Sequence, residues 1–207
     1  MQYFAVFALS YLVGSIPFGL LIGMCFGKDI RKEGSGNIGA TNVTRVIGKW
    51  WGRLCFLLDF LKGFGPVFAA SRFAADAPSL PGLILLTAGA AAILGHMFPV
   101  WLKFKGGKGI STAAGVALAL AGWALLIAGL VWVAVFLTSR YVSLASICAA
   151  LALPLAATGL HLWYRPVPVS ILIFFCVIAA VAIWKHRSNI ARLRSGTELR
   201  FERKNKN

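Results

Sequence analysis

Six apolar runs, at about residues 4–26, 54–74, 81–101, 110–138, 143–160 and 168–185, constrain this chain more than any other feature. Stretches of roughly 18 or more residues with little or no charge are long enough to cross a bilayer as helices. The mean hydropathy of +0.80 and a charged fraction of only 13% lie outside the range of soluble domains. The expected fold is an all-α integral membrane protein. With 207 residues, most of them in spans, it has room for one membrane domain only, with 1–198 as core and 199–207 as a basic disordered tail. The first run lacks a basic lead and is longer than a signal-peptide core. The charged stretch Lys28-Asp29-Ile30-Arg31-Lys32-Glu33 follows it like a stop-transfer cluster, so it reads as a retained span.

The fourth run decides the topology. A helix over 110–138 would be about 43 Å long at ~1.5 Å per residue, whereas one crossing needs roughly 30 Å. One tilted helix gives six spans and puts the basic loop 27–53 and the basic tail 185–206 on opposite sides. A hairpin of two short helices broken near Ala121-Gly122-Trp123 gives seven. Every Lys and Arg except Arg72 and Arg165 is then cytoplasmic, which satisfies the positive-inside pattern far better. The expectation is therefore a bundle of seven transmembrane helices, two of them short, with the N-terminus outside and the C-terminus cytoplasmic. Loops 27–53, 103–110 and 139–143 and the tail from Lys185 then meet on the cytoplasmic face. The outer connections 75–80 and 161–167 read as turns.

The net charge of +15 is explained by that charge rule, with an anionic substrate as a compatible second reason; no nucleic-acid partner is expected. Cys25, Cys55, Cys148 and Cys176 lie within or beside apolar runs at unrelated spacings and read as packing thiols. No His/Cys/Asp/Glu cluster has metal-ligand spacing, so neither metal nor cofactor is expected.

Three polar clusters interrupt the apolar pattern. The first, Gly34-Ser35-Gly36-Asn37-Ile38-Gly39, spells GxGxxG, and Asp59 lies at a distance a dinucleotide fingerprint would want. No βαβ unit surrounds it and Asp59 falls inside a span, so the nucleotide reading fails. Its glycines can instead turn backbone N–H groups toward an anion. After it, Val43, Val46, Ile47, Trp50 and Trp51 share one helical face and Asn42, Arg45 and Lys49 the other. That pattern predicts an amphipathic helix in the membrane interface, either a plain anchor or one wall of an anion site. The second cluster, Lys103 through Thr112, resembles a Walker A loop without its first glycine and with Gly109 after Lys108. It reads either as a phosphate loop capped by Ser111-Thr112 or as an ordinary basic loop. In the third, a last span continuing as helix through Lys185–Leu193 would turn His186 and Asn189 toward protein and Arg187 and Arg194 away, with Gly196 and Glu198 closing the helix. Inside the second span, Asp59 and Lys62 at i, i+3 are expected to pair and support the site, and in the third span His96 is expected to be a buried hydrogen-bonding residue. Pro17 is expected to bend the first span and free a carbonyl.

Together these clusters resemble the acyl-phosphate-dependent glycerol-3-phosphate acyltransferases of bacteria, the PlsY type. The resemblance rests on Gly14–Gly19, Gly34 through Arg45, Gly95-His96-Met97-Phe98-Pro99 with Lys103 through Thr112, and His186-Arg187-Ser188-Asn189-Ile190 with Arg192, Leu193, Gly196 and Glu198. It implies a seven-span inner-membrane enzyme, active on the cytoplasmic face. Such an enzyme moves a long-chain acyl group from acyl phosphate to the 1-hydroxyl of glycerol 3-phosphate, giving lysophosphatidic acid and phosphate. It implies membrane lipid as surroundings and a functional link to a soluble enzyme that produces acyl phosphate. On this resemblance Gly34, Gly36, Asn37, Thr41, Asn42, Arg45, Lys105, Gly106, Gly107 and Lys108 are expected to bind substrate phosphate. Ser35, Ser143, His186 and Asn189 are expected to orient the attacking hydroxyl or the leaving phosphate, with Asp59, Lys62, His96 and Arg192 in support. Either His186 or a substrate phosphate takes the proton. A transporter for a phosphorylated solute is the competing class; it predicts repeated halves and midplane polar groups, and neither is visible.

Overall fold

The computed structural model describes residues 2–74, 81–164 and 166–201. The expected turn at 75–80, Arg165 and the tail beyond 201 lie outside the described residues. Among the described residues all regular structure is helical: α1 (Gln2–Gly14), α2 (Phe18–Cys25), α3 (Ala40–Val46), α4 (Lys49–Ala74), α5 (Pro81–Met97), a 3-10 turn (Val100–Leu102), α6 (Ile110–Ser139), α7 (Val142–Trp163), α8 (Val169–Lys185) and α9 (Arg187–Arg194). Among the described residues, five stretches are long and apolar enough to cross a bilayer; α8 with α9, bent by 56°, raises the number to as many as six. The chain divides into two compact units, Met1–Leu120 and Ala121–Asn207. The division falls inside α6, where Ala121 alone has non-helical dihedrals (φ −157°, ψ 73°), within the segment Ala121-Gly122-Trp123 where the charge pattern favoured a break.

In the first unit the opening span is broken at Ser15–Pro17, because Pro17 has no N–H to continue the ladder. The break leaves the Ile16 carbonyl accepting a bond from Lys62 Nζ at 2.7 Å. Helix α1 packs on α5, α5 on α4 and α4 on α3. In lipid no hydrophobic gain separates buried from lipid-facing Leu, so association relies on close approach of small residues. Ala88, Ala91 and Ala92 are fully buried, and a Cβ on Gly14 or Gly95 would fall on the backbone of Ala92 or Tyr11 respectively. Tyr11 Oη donates to the Phe98 carbonyl at 2.7 Å, fastening the end of α5 to α1.

The amphipathic helix expected over residues 42–51 does not form as one piece. Gly48, at φ +137°, separates α3 from α4, a conformation that side chains rarely adopt. Val43 is buried with Ile30, Ile38, Leu20, Ile22 and Cys55 in a core beneath the first loop. Trp50 and Trp51 belong to the first turn of α4, exposed at 66% and 41%. Lys49 and Arg53 lie 5.5 and 4.6 Å from the Trp50 ring centroid.

In the second unit α7 packs on α8, with Phe175 fully buried. The last span does not run on as one helix. The His186 backbone N–H bonds both Ala182 and Ile183 carbonyls, its ring Nδ1–H donates to the Ala182 carbonyl at 2.7 Å, and the chain leaves the α8 axis there at φ −93°, ψ 5°. Residues 199–201 are described: the Phe201 N–H donates to the Arg140 carbonyl at 3.1 Å.

Candidate functional site

The first loop is built around Asn42, which is 1% exposed instead of lying on a polar outer face. Its Nδ2 donates to the carbonyls of Ile30 (2.8 Å) and Glu33 (3.1 Å), and its Oδ1 accepts the Ser35 N–H at 2.8 Å. Gly34 has φ +59°, and a Cβ there would collide with the Asn42 amide oxygen. The glycine therefore serves the clamp as much as any ligand. Gly36 N–H goes to the Glu33 carbonyl and Gly39 N–H to Asn37 Oδ1 at 2.9 Å. Thus the N–H groups of Ser35, Gly36 and Gly39 are engaged within the loop, which narrows the backbone donors available to an anion. The loop's carboxylates are met by cations: Asp29 by Arg31 at 2.8 Å and Glu33 by Lys28 at 3.6 Å. The Arg31 hydrogen bond holds the Asp29 carboxyl down at about 2. Ser35 is exposed, while Thr41 and Arg45 are half-buried on α3.

The second loop folds back onto the end of α5. Gly106 N–H donates to the Met97 carbonyl and Gly107 N–H to the His96 carbonyl, both at 3.1 Å. Lys103, Phe104 and Lys105 N–H groups also bond within the loop. Lys103 and Phe104 sit at φ 51° and 62°, which costs roughly 1–2 kcal/mol each for residues with a Cβ. A side chain on Gly106 would strike the His96 carbonyl and Pro99; one on Gly107 would strike the His96 ring at Nε2. These two glycines are required by contact with α5, and their own N–H groups point into the fold. The loop's charge is offered by Lys105, exposed, and Lys108, half-buried, just ahead of the first turn of α6, whose unpaired N–H groups favour an anion.

Behind that loop, Lys62 Nζ lies 2.8 Å from Asp59 Oδ1, as the i, i+3 spacing requires, and His96 Nδ1 is 3.6 Å from the same oxygen. Cys55 Sγ donates to Asp59 Oδ2 at 3.6 Å.

In the second unit Glu198, which the sequence reading placed in the third motif and at the helix end but gave no part in the site, gathers the others. Ser143 Oγ and Asn189 Nδ2 donate to Glu198 Oε1 at 2.7 and 2.6 Å, and Arg192 Nε donates to Oε2 at 2.7 Å. Burial pushes the Glu198 carboxyl up, but the three donors outweigh it and hold the group below its ordinary range. The visible signal was an acidic residue four positions after Arg194, in a largely basic stretch, with Ser, Asn and Arg in the motifs. Ser143 and Asn189 are thus oriented by Glu198. His186 is 2% exposed, and its bond to Ala182 assigns the proton of the neutral ring to Nδ1. Nε2 is then the nitrogen able to accept one. Arg187 and Arg194 are exposed, as the helical phase required. Among the described residues no group of three His, Cys, Asp or Glu could hold a metal ion.

Comparison with known proteins bears on this arrangement. The family model described as glycerol-3-phosphate acyltransferase matches residues 4–196. The chain is 48% identical over 193 residues to a glycerol-3-phosphate acyltransferase of Aquifex aeolicus, covering 93% of this chain and 95% of that one. It is 49% identical over 200 residues to one of Myxococcus xanthus, covering 95% and 98%. Crystal structures of PlsY (YgiH), an integral membrane glycerol 3-phosphate acyltransferase, superpose with TM-scores of 0.87 in the glycerol 3-phosphate form and 0.84 in the lysophosphatidic acid form. Both are 44% identical and cover 98% of this chain and 96% of theirs.

Proposed function

The chain belongs to the glycerol-3-phosphate acyltransferase family, and from that premise we propose how it works as a multi-pass membrane enzyme that acylates glycerol 3-phosphate. The observation that carries the reading is the match along 98% of the chain to a structure known in glycerol 3-phosphate and lysophosphatidic acid forms. The acyl donor is a long-chain acyl phosphate, supplied by a soluble enzyme that makes it. Its chain is held among membrane lipid. The 1-hydroxyl oxygen attacks the acyl carbonyl carbon, the bond from that carbon to the phosphate oxygen breaks, and lysophosphatidic acid and inorganic phosphate result. The anhydride is already activated, so positioning and charge stabilisation supply most of the acceleration.

Arg45, Lys105 and Lys108 bind substrate phosphate, with Asn37, Thr41 and the first turn of α6 assisting. Gly34, Gly36 and Asn42 give the first loop its shape, and Gly106 and Gly107 do so for the second. Ser35, Ser143 and Asn189 orient the hydroxyl or the leaving phosphate; Arg192 and Glu198 hold Ser143 and Asn189 in place. His186 Nε2 takes the hydroxyl proton, which its Nδ1–H bond to Ala182 supports. The protein lies in the bacterial inner membrane with seven spans, α6 counting as two short ones, and works on the cytoplasmic face.

The test is purified protein with acyl phosphate and glycerol 3-phosphate, with acyl-CoA and acyl carrier protein in parallel. Lysophosphatidic acid is expected with the first donor alone. No product from any donor rejects the enzyme, and equal product from acyl-CoA rejects the donor. His186→Ala is expected to lower kcat by about 10²-fold or more; near-normal kcat would assign the proton to a substrate phosphate instead.

A further inference from the structure

Asp59, Lys62 and His96 are 2%, 4% and 4% exposed, and the transfer chemistry above uses none of them. A buried ion pair is a poor way to gain stability, because desolvation offsets most of the attraction and apolar packing often does as well. What the network holds is visible at its two ends. At one, Lys62 Nζ bonds the Ile16 carbonyl at the break in the first span, 2.7 Å away, and lies 5.6 Å from the Phe18 ring centroid. At the other, the His96 ring stands between Asp59, 3.6 Å from Nδ1, and the backbone of Gly107, which no Cβ could occupy with the ring in place. The backbone of the same residue takes the Gly107 N–H, and its neighbour Met97 takes that of Gly106. The imidazole is therefore wedged between a carboxylate held by Lys62 and Cys55 and the stretch that joins Lys105 to Lys108.

We propose that Asp59, Lys62 and His96 form a strut that sets the position of the Lys105–Lys108 loop, making them positioning residues for substrate phosphate. The proposal rests on the assignment of Lys105 and Lys108 to that phosphate. A shift of about 1 Å in such a loop costs as much as ~10²-fold when the charges it carries must meet a fixed anion. Loss of the strut is thus read as weakened substrate capture, while the chemical step in the bound complex changes less.

The experiment compares Lys105→Ala, His96→Leu, His96→Gln and the double variant Asp59→Asn/Lys62→Met, which removes both charges so that neither is left buried alone. Steady-state kinetics are measured for both phosphate-bearing substrates in detergent-purified protein of matched folded fraction. Lys105→Ala identifies the substrate whose KM responds. His96→Leu and the double variant are expected to raise that same KM about tenfold or more with kcat within about threefold of wild type. His96→Gln, which keeps a donor and similar bulk, is expected to recover most of the loss. If Lys105→Ala changes neither KM, the phosphate assignment falls and the strut's purpose with it. If Lys105→Ala raises a KM and the folded strut variants do not, losing only thermal stability or active fraction, the strut alone is overturned.

Discussion

Asn42 shows how a polar side chain in a glycine-rich loop can be spent on the loop itself. All three of its bonds run to backbone of residues 30–35. Asn42→Ala is expected to destabilise by about 2–4 kcal/mol, since each lost bond is worth ~1 and buried groups are left unpaired. Asn42→Asp is expected to be worse, because a carboxylate oxygen would then face the Ile30 and Glu33 carbonyls; thermal unfolding in detergent orders the two. Helical periodicity separated Asn42 from Val43, yet it does not say that both lie inward, because the covering residues come from 30–35. Glu198 was less legible still, since its partners Ser143, Asn189 and Arg192 are brought to it only by folding. Its carboxyl titrates below the ordinary range in the folded chain, so its contribution is present above about pH 4 and fades as pH falls through the lower folded value. Hydrogen exchange at 198–201 is expected to rise over that acid window in the wild type. In Glu198→Gln it should already be high at neutral pH, and a pH-independent wild-type profile would contradict this.

At the scale of elements, the helices follow from apolar runs, but their interruptions do much to arrange the chemistry. The break at Ser15–Pro17 presents the Ile16 carbonyl to Lys62, Gly48 divides α3 from α4, and the bend of 56° at His186 separates α8 from α9. Proline announced the first break. The glycine signal was present at Gly48 too, but an amphipathic pattern running through it suggested one helix. Nothing local marked His186, where the ring competes with the backbone for one carbonyl. Close approach of α1 and α5 depends on Gly14 and Gly95. Gly95→Val forces the Tyr11 backbone away and is expected to cost about 1–3 kcal/mol or more, read as lowered Tm and reduced yield in detergent. Ala in place of Gly82, where a Cβ meets nothing, is the control expected to leave Tm unchanged.

For the whole molecule, the number of crossings turns on α6. A helix of 30 residues interrupted at Ala121 counts as one crossing or two. Seven spans put the termini on opposite sides and six put them together. Reporter fusions at residues 1 and 207 are expected to show the N-terminus outside and the C-terminus inside. Two cytoplasmic reporters would make α6 a single span.

What the sequence determined by itself is the membrane, the helices and the identity of the three polar clusters. Each of these depends on composition and on motifs short enough to be read along the chain. Burial in lipid makes charge expensive, so the few polar stretches stand out. Tertiary structure alone decided that Asn42 and Glu198 turn inward and hold their loops. Asn42 and Glu198 became clamps, and Gly106 and Gly107 became contact surfaces for α5. The physical reason is that a hydrogen bond needs both partners, and these partners are close in space while some are distant in sequence: Ser143 and Glu198 stand 55 residues apart along the chain at 2.7 Å.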